Sequence, residues 1–293
     1  MNSQKTAVIT GASSGIGYAL SIEMAKRGYQ VYACARRLEP MEELKKYGVK
    51  TFRCDVSDLQ SVLEARAYIE EETNGALDIL YNNAGQACNV SAIDATDEQA
   101  MQCYQVNVFG PIRMTREFSR LLIKAKGTVV FTGSIAALTP FPWTSIYGST
   151  KAAIHQFAAV LHLEMKPFGV RVINVVTGGV KTNIEDNRPF PATSVYNCPE
   201  LEAALVVTRR MVNDNRPMPA VVYAKKVVNH IESGSNKLNI HRGSMSTILP
   251  FLMRWVPRWV VERIIAGMFK LIPLWKALHK KAAEKAEVDL RLT

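Results

Sequence analysis

The residues best placed to do chemistry are Tyr147 and Lys151, which stand four apart in Ser145-Ile146-Tyr147-Gly148-Ser149-Thr150-Lys151, with Ser134 upstream of them. On a helix, positions i and i+4 share one face, so the Lys151 ammonium can be held beside the Tyr147 phenol. A free phenol titrates near about 10, and a cation within about 4–6 Å favours the phenolate. The pair therefore predicts a tyrosine acid whose pKa is lowered toward neutrality. Ser134, arriving from a strand end, can donate a hydrogen bond to a substrate oxygen beside that phenol. The spacing alone is common on exposed helices and acquires meaning only from the elements that position it.

Those elements alternate. Thr6-Ala7-Val8-Ile9-Thr10 is a β-branched run that ends in Gly11-Ala12-Ser13-Ser14-Gly15-Ile16-Gly17, and an apolar helical period starts at Tyr18-Ala19-Leu20. A glycine turn between strand and helix lets backbone approach a ligand closely, and the helix N-terminus offers N–H groups to a pyrophosphate. The second strand, Gln30 to Ala35, ends at Arg36-Arg37, where an NAD-binding unit would place an acid on the ribose 2′-hydroxyl. Two arginines predict a 2′-phosphate instead, and hence NADPH/NADP. A third strand over 49–54 delivers Asp55 toward the adenine. A helix over 59–73 and a strand over 77–81 lead to Asn82-Asn83-Ala84-Gly85, small and amide residues suited to a flat ligand.

A long helix over 97–124 contains Asn107 and Gly110-Pro111, and the missing proline N–H leaves the Asn107 carbonyl free to hold a water. A strand over 128–132 delivers Ser134, a helix runs over 147–166, and a strand over 170–176 ends at Thr177-Gly178-Gly179. The pattern predicts an α/β, doubly wound parallel sheet with its ligand crevice at the strands' carboxyl ends, where all these motifs fall. From 181 to 219 regularity is lost and prolines accumulate, the mark of a lid or binding loop. A helix over 219–233 and an edge strand over 237–240 follow.

The 293 residues are 48% apolar, enough for a sizeable core, and net charge +10 points to an anionic partner such as a nucleotide phosphate, an acidic lipid surface or a nucleic acid. Five cysteines without C-x-x-C spacing indicate neither a disulfide framework nor a metal site. Met1 to Lys5 passes into a strand without a secretory pattern. The composition changes after Gly243, which divides the chain into 1–245, a cofactor-binding unit, and 246–293, an apolar amphipathic extension. A spanning helix needs about 20 apolar residues, and Arg254, Arg258, Glu262 and Arg263 interrupt the run. Insertion from one side through about 246–281 is expected, with Trp255, Trp259 and Trp275 at headgroup level and Lys276, Lys280, Lys281 and Lys285 drawing anionic lipid. The competing reading packs this face on the domain itself or on a second subunit.

As a set, Thr10 to Gly17, Asn82 to Gly85, Asn107, Ser134 and the Tyr147/Lys151 pair resemble the short-chain dehydrogenase/reductase family over about residues 5–245. The resemblance implies a Rossmann-like fold and a catalytic tetrad of Asn107, Ser134, Tyr147 and Lys151. It implies cofactor contacts at Gly11, Ser13, Ser14, Gly15, Ile16, Gly17, Arg36, Arg37, Asp55, Asn83, Ala84, Gly85, Tyr147 and Lys151. Further contacts are implied near Gly179, Val180 and Thr182, although Thr177-Gly178 replaces the family's usual Asn/Ser-Pro-Gly. Within the family, the Val-x-x-Gly-Gly-Val-x-Thr stretch and the apolar C-terminus resemble the fungal NADPH-dependent reductases of 1-acyldihydroxyacetone phosphate. That implies a lipophilic, phosphorylated ketone as substrate, with Lys181 or Arg188 near its phosphate. It also implies a place on the cytosolic face of the endoplasmic reticulum and lipid droplets, no nucleic-acid partner, and homo-oligomers paired through the helices around Asn107 and Tyr147.

Steroid, retinoid or sphingoid ketones and alcohols are alternative substrates. Gly11-Ala12-Ser13-Ser14-Gly15 also satisfies the G-x-S-x-G nucleophile elbow, which predicts lipid ester hydrolysis if His155, His162, His230, His241 or His279 serves as base. A third reading, an NADPH-binding scaffold without turnover, meets the presence of all four tetrad residues.

Overall fold

Alternate strand residues enter opposite apolar layers, as a parallel sheet covered on both faces requires. In β1 (Thr6–Thr10) Ala7 and Ile9 join one core while Val8 joins the other, and β2 (Gln30–Ala35) splits Val31, Ala33 and Ala35 from Tyr32 and Cys34. The computed structural model describes residues 4–182, 184 and 188–292. After β1 come α1 (Gly15–Lys26), β2, β3 (Lys50–Arg53), α2 (Leu59–Glu72), β4 (Ile79–Asn82), α3 (Asp97–Tyr104), α4 (Gly110–Ala125), β5 (Thr128–Thr132), α5 (Ser145–Glu164) and β6 (Arg171–Thr177). The chain continues through β7 (Val180–Lys181), α6 (Pro199–Asp214), β8 (Met218–Pro219), α7 (Ala220–Glu232) and β9 (Asn239–Arg242) to α8 (Ile248–Trp255), α9 (Arg258–Met268) and α10 (Leu271–Leu292).

The seven-stranded sheet has the order β3-β2-β1-β4-β5-β6-β9 and is parallel throughout. Residues of α1 and α7 fill one core, and those of α2, α4 and α5 the other. This is the expected α/β Rossmann-like class. The strand order reverses between β1 and β4, where a doubly wound sheet opens its crevice.

Two expectations change, and one competing reading is met in part. The stretch over 181–219 is not irregular throughout, because α6 occupies Pro199–Asp214 with Pro199 in its first turn, where a missing N–H costs no helical bond. The helix over 97–124 is interrupted by a π turn at Gln105–Phe109, in which the Gly110 N–H donates to the Gln105 carbonyl. Pro111 follows directly and lacks the N–H a regular turn would use. The C-terminal extension packs partly on the domain: Leu274 of α10 is buried against Leu201, Ala204 and Leu205 of α6. Trp255, Trp259 and Trp275 nonetheless remain exposed. The Lys285 side chain lies outside the described ones.

Candidate active site

A cavity of about 850 Å³ lies along the carboxyl ends of the strands, within the roughly 300–1,000 Å³ usual for small-molecule sites. One end is the glycine turn. Gly11 has φ +66°, and a Cβ there would stand 2.7 Å from the Ala84 Cα; a Cβ on Gly17 would stand 2.5 Å from the Gly11 carbonyl oxygen. Only glycine lets these segments meet. Asn83 braces them: its Nδ2 donates to the carbonyls of Thr10 (3.1 Å) and Gly11 (3.2 Å), and its Oδ1 accepts from the Thr132 hydroxyl at 3.1 Å. The Thr10 hydroxyl accepts from the backbone N–H groups of Asn83 and Ala84, both at 3.0 Å.

Ser13, Ser14, Gly15 and Ile16 line the cavity, and Ser14 caps α1 without a side-chain bond to its first turn. The orphan N–H groups of that turn suit an anion. Arg36 and Arg37 line the same end, are exposed, and engage no carboxylate among the described residues. Asp55 lines it too, with Oδ1 accepting from the Ser57 N–H (3.0 Å) and hydroxyl (2.6 Å). A cradle that a Cβ would fill, beside two uncommitted guanidinium groups, fits a dinucleotide with an additional phosphate.

Tyr147 and Lys151 reach the middle of the cavity from the first two turns of α5. The Lys151 Nζ donates to the Thr132 carbonyl at 2.9 Å and lies 5.7 Å from the Tyr147 ring centroid. Burial pushes the Tyr147 phenol up to about 12, against the opposing pull of a hydrogen bond from Ser134. Desolvation takes the Lys151 ammonium down to about 8. The lowering expected at Tyr147 is therefore overridden, because burial disfavours the charged form of each group. At neutral pH Tyr147 holds its proton, as an acid must.

The Ser134 N–H donates to His155 Nε2 at 3.1 Å, and burial, then the nearby Lys151 charge, take that imidazole down to about 4. His155 is thus a neutral acceptor beneath the serine. Asn107 is buried: its Oδ1 accepts from the Gln86 N–H (2.8 Å), and its Nδ2 donates to the Gln86 carbonyl (2.9 Å) and the Thr150 hydroxyl (3.1 Å).

The far end is apolar. Leu249, Leu252, Met253 and Val256 of α8 and its C-terminal edge, with Val261 and Ile265 of α9 and Phe269 just after it, line the cavity together with Thr177, Gly178, Gly179, Val180 and Thr182. Polar groups there come from Arg188, from Arg209 of α6 and from Asn215.

A family profile described as "short chain dehydrogenase" matches residues 5–190. The chain belongs to the short-chain dehydrogenase family. It is 50% identical over 287 residues to the "NADPH-dependent 1-acyldihydroxyacetone phosphate reductase" of Saccharomyces cerevisiae, covering 96% of this chain and 97% of that one. The protein of that name from Schizosaccharomyces pombe is 38% identical over 217 residues, 74% of this chain and 73% of its own. A short-chain dehydrogenase from Burkholderia cenocepacia, solved in complex with NADP, shares the fold with a TM-score of 0.70 at 23% identity, over 89% of this chain and 97% of that one.

Of the tetrad and cofactor-contact residues expected at this short-chain dehydrogenase site, all but two line the cavity. Gly17 lies beneath the turn, where its missing Cβ makes room for Gly11 and Asn83, and Asn107 lies behind Gln86. Lys181 is exposed and does not line it, whereas Arg188 does. No histidine lines it among the described residues; His162 and His241 bond the carbonyls of Val172 and Ser246, and His155 serves Ser134. The elbow serine, Ser13, thus has no histidine base in the cavity. Sequence reasoning missed the bracing roles of Thr10 and Thr132, the place of Arg209, and the support His155 gives to Ser134. Position i+4 from Lys151 on the same helix face was the available signal for His155.

Proposed function

We propose that the protein is an NADPH-dependent reductase that converts 1-acyldihydroxyacetone phosphate to 1-acylglycerol 3-phosphate. One observation carries this reading: Tyr147, Ser134 and Lys151 converge at the middle of a cavity with a phosphate cradle at one end and an apolar wall at the other. The names of the Saccharomyces and Schizosaccharomyces relatives support the choice of substrate.

NADPH, when bound, supplies the hydride. The turn from Gly11 to Ile16 would hold its pyrophosphate against the N-terminus of α1, Arg36 and Arg37 its 2′-phosphate, and Asp55 its adenine. Asn83, Ala84, Gly85, Val180 and Thr182 would border the nicotinamide half, with Tyr147 and Lys151 at its ribose. Ser134 polarises the ketone oxygen by a hydrogen bond. Tyr147 gives its proton to that oxygen as the carbonyl carbon is reduced. The Lys151 cation stabilises the phenolate left behind, and Asn107 holds the water through which Tyr147 is reprotonated. Arg209 and Arg188 suit the substrate phosphate.

Residues 1–245 act as the reductase unit and 246–293 dock it on the cytosolic face of the endoplasmic reticulum and on lipid droplets. Phe251, Trp255, Trp259 and Trp275 are exposed among Arg254, Arg258, Arg263, Lys276 and Lys280, a pattern suited to an anionic lipid surface. No described helix is long and apolar enough to cross a membrane. Exposed Phe109, Val160 and Leu163 beside the Asn107 and Tyr147 helices support pairing of two chains there.

The test is NADPH oxidation with 1-acyldihydroxyacetone phosphate, run beside fatty-acid release from the same ester. Ketone-dependent oxidation without fatty-acid release is expected, and the reverse outcome sinks the reading. Flotation with anionic liposomes should retain the full-length chain and lose the Trp255→Ala/Trp259→Ala/Trp275→Ala variant; equal flotation contradicts docking.

A further inference from the structure

The extension has two apolar faces with different surroundings. On α8, Leu249, Leu252 and Met253 line the cavity, whereas Phe251 and Trp255 point outward at 62% and 69% exposure. On α9, Val261 and Ile265 line it, and Trp259 is 69% exposed. Ile264 and Met268 do both: they line the cavity and are 53% and 57% exposed. Met245 and Ile184, from segments outside α8 and α9, share this double character. Residues that border a cavity while remaining exposed form its rim, so part of the cavity's mouth is apolar and is built from α9, which also carries the exposed Trp259.

The wall also reaches the chemistry. Phe269 packs on Phe141 with ring centroids 6.1 Å apart, and Phe141 lies in the segment that runs from Ser134 to Tyr147. The apolar lining of α8 and α9 thus extends to the segment that joins Ser134 to Tyr147.

We infer that the wall formed by α8, α9 and Phe269 is the slot for the acyl chain of the substrate, and that its mouth at Ile264, Met268 and Met245 admits the chain directly from the lipid surface. The inference rests on the lipid-ketone reading above. An amphiphile whose ketone must reach Tyr147 cannot leave its chain in water, because each methylene returned to water forfeits about 0.8 kcal/mol of transfer free energy. The slot removes that penalty. A mouth among groups that themselves suit lipid lets the chain move from one apolar environment to another without crossing water. The extension would then hold the membrane with its outer face and select the substrate with its inner one.

The experiment measures NADPH oxidation by the full-length protein with dihydroxyacetone phosphate esters from butanoyl to dodecanoyl, each below its micelle concentration, and separately the binding of the fluorescent fatty acid cis-parinaric acid. For the wild type, kcat/KM should rise by up to about fourfold per methylene while the chain lengthens inside the slot. Ile265→Trp should end that rise at shorter chains and weaken parinaric acid binding. Met268→Arg, at an exposed position that tolerates substitution, should lower kcat/KM for the dodecanoyl ester by about tenfold or more relative to the butanoyl ester, and it serves if the tryptophan variant does not fold. Efficient reduction independent of chain length, with no parinaric acid binding, overturns the slot and leaves the reductase reading intact. Parinaric acid binding that both variants weaken, without NADPH oxidation on any ester, supports the slot and removes the reductase reading. Equal chain-length profiles in wild type and both variants contradict the inference.

Discussion

The two ends of the cavity are held by different forces. The catalytic end is a chain of directional bonds, in which Asn83 ties Thr10 and Gly11 to Thr132, Lys151 donates to the Thr132 carbonyl, His155 accepts from Ser134, and Asn107 grips Gln86. Leaving any such buried group unpaired costs about 1–3 kcal/mol, so atoms there have few places to go. The apolar end is held by side-chain packing, exemplified by Phe141 on Phe269 and by Leu274 on α6. Burial is non-directional and fixes area more tightly than position. Proton transfer needs donors placed to within fractions of an ångström, whereas a hydrocarbon chain needs only dry room. Each end has the kind of force its task requires.

The largest effect should come from the directional end. Tyr147→Phe keeps the ring and removes the proton donor, so ketone reduction should fall by about 10²–10⁴-fold or more, while calorimetry should still detect NADPH binding. Near-full activity would break the comparison at its firmest point.

Next comes the half-buried histidine, His155. Its pKa is about 4 in the folded state against 6.5 when free. Between those values the unfolded chain binds the extra proton, so stability is intact above about 6.5 and is lost as pH falls toward 4, by about 3 kcal/mol in total. Urea titrations of wild type and His155→Gln should show this slope in the wild type and its loss in the variant. Equal slopes would show that His155 is not held neutral beneath Ser134.

A smaller effect is expected at the cofactor end. Arg36→Ser or Arg37→Ser should each lose about 1.5–3 kcal/mol of NADPH binding and leave NADH nearly unaffected. A wild type that prefers NADH would show that neither arginine meets a phosphate.

The smallest effect belongs to the outer face of the C-terminal extension. Trp255→Ala/Trp259→Ala should shift unfolding free energy by no more than about 0.5 kcal/mol per site, since both rings are exposed. A large loss would show that these rings pack on protein and not on lipid.

The directional end was the more legible in the sequence. Gly11 to Gly17, Asn82 to Gly85 and the Tyr147/Lys151 pair are local patterns, and their spacing carries their geometry. Burial is not local, so the upward shift at Tyr147 could not be read from Lys151 four residues away. The role of His155 escaped because its partner is a backbone N–H, and its place four residues after Lys151 gives its helix face but not that partner. At the apolar end, Pro199 made a helix resemble a loop and hid Arg209 within it. The run from Ile248 to Leu278 is apolar on both faces, and periodicity cannot say which face meets a cavity and which meets the surroundings.

The most direct test of the account follows a hydride. With NADPH deuterated at the transferring C4 position and 1-acyldihydroxyacetone phosphate as substrate, mass spectrometry should find the deuterium on the carbinol carbon of 1-acylglycerol 3-phosphate, with NADPH consumed in equal amount to product. Product without deuterium, or free fatty acid in place of the alcohol, would contradict the account.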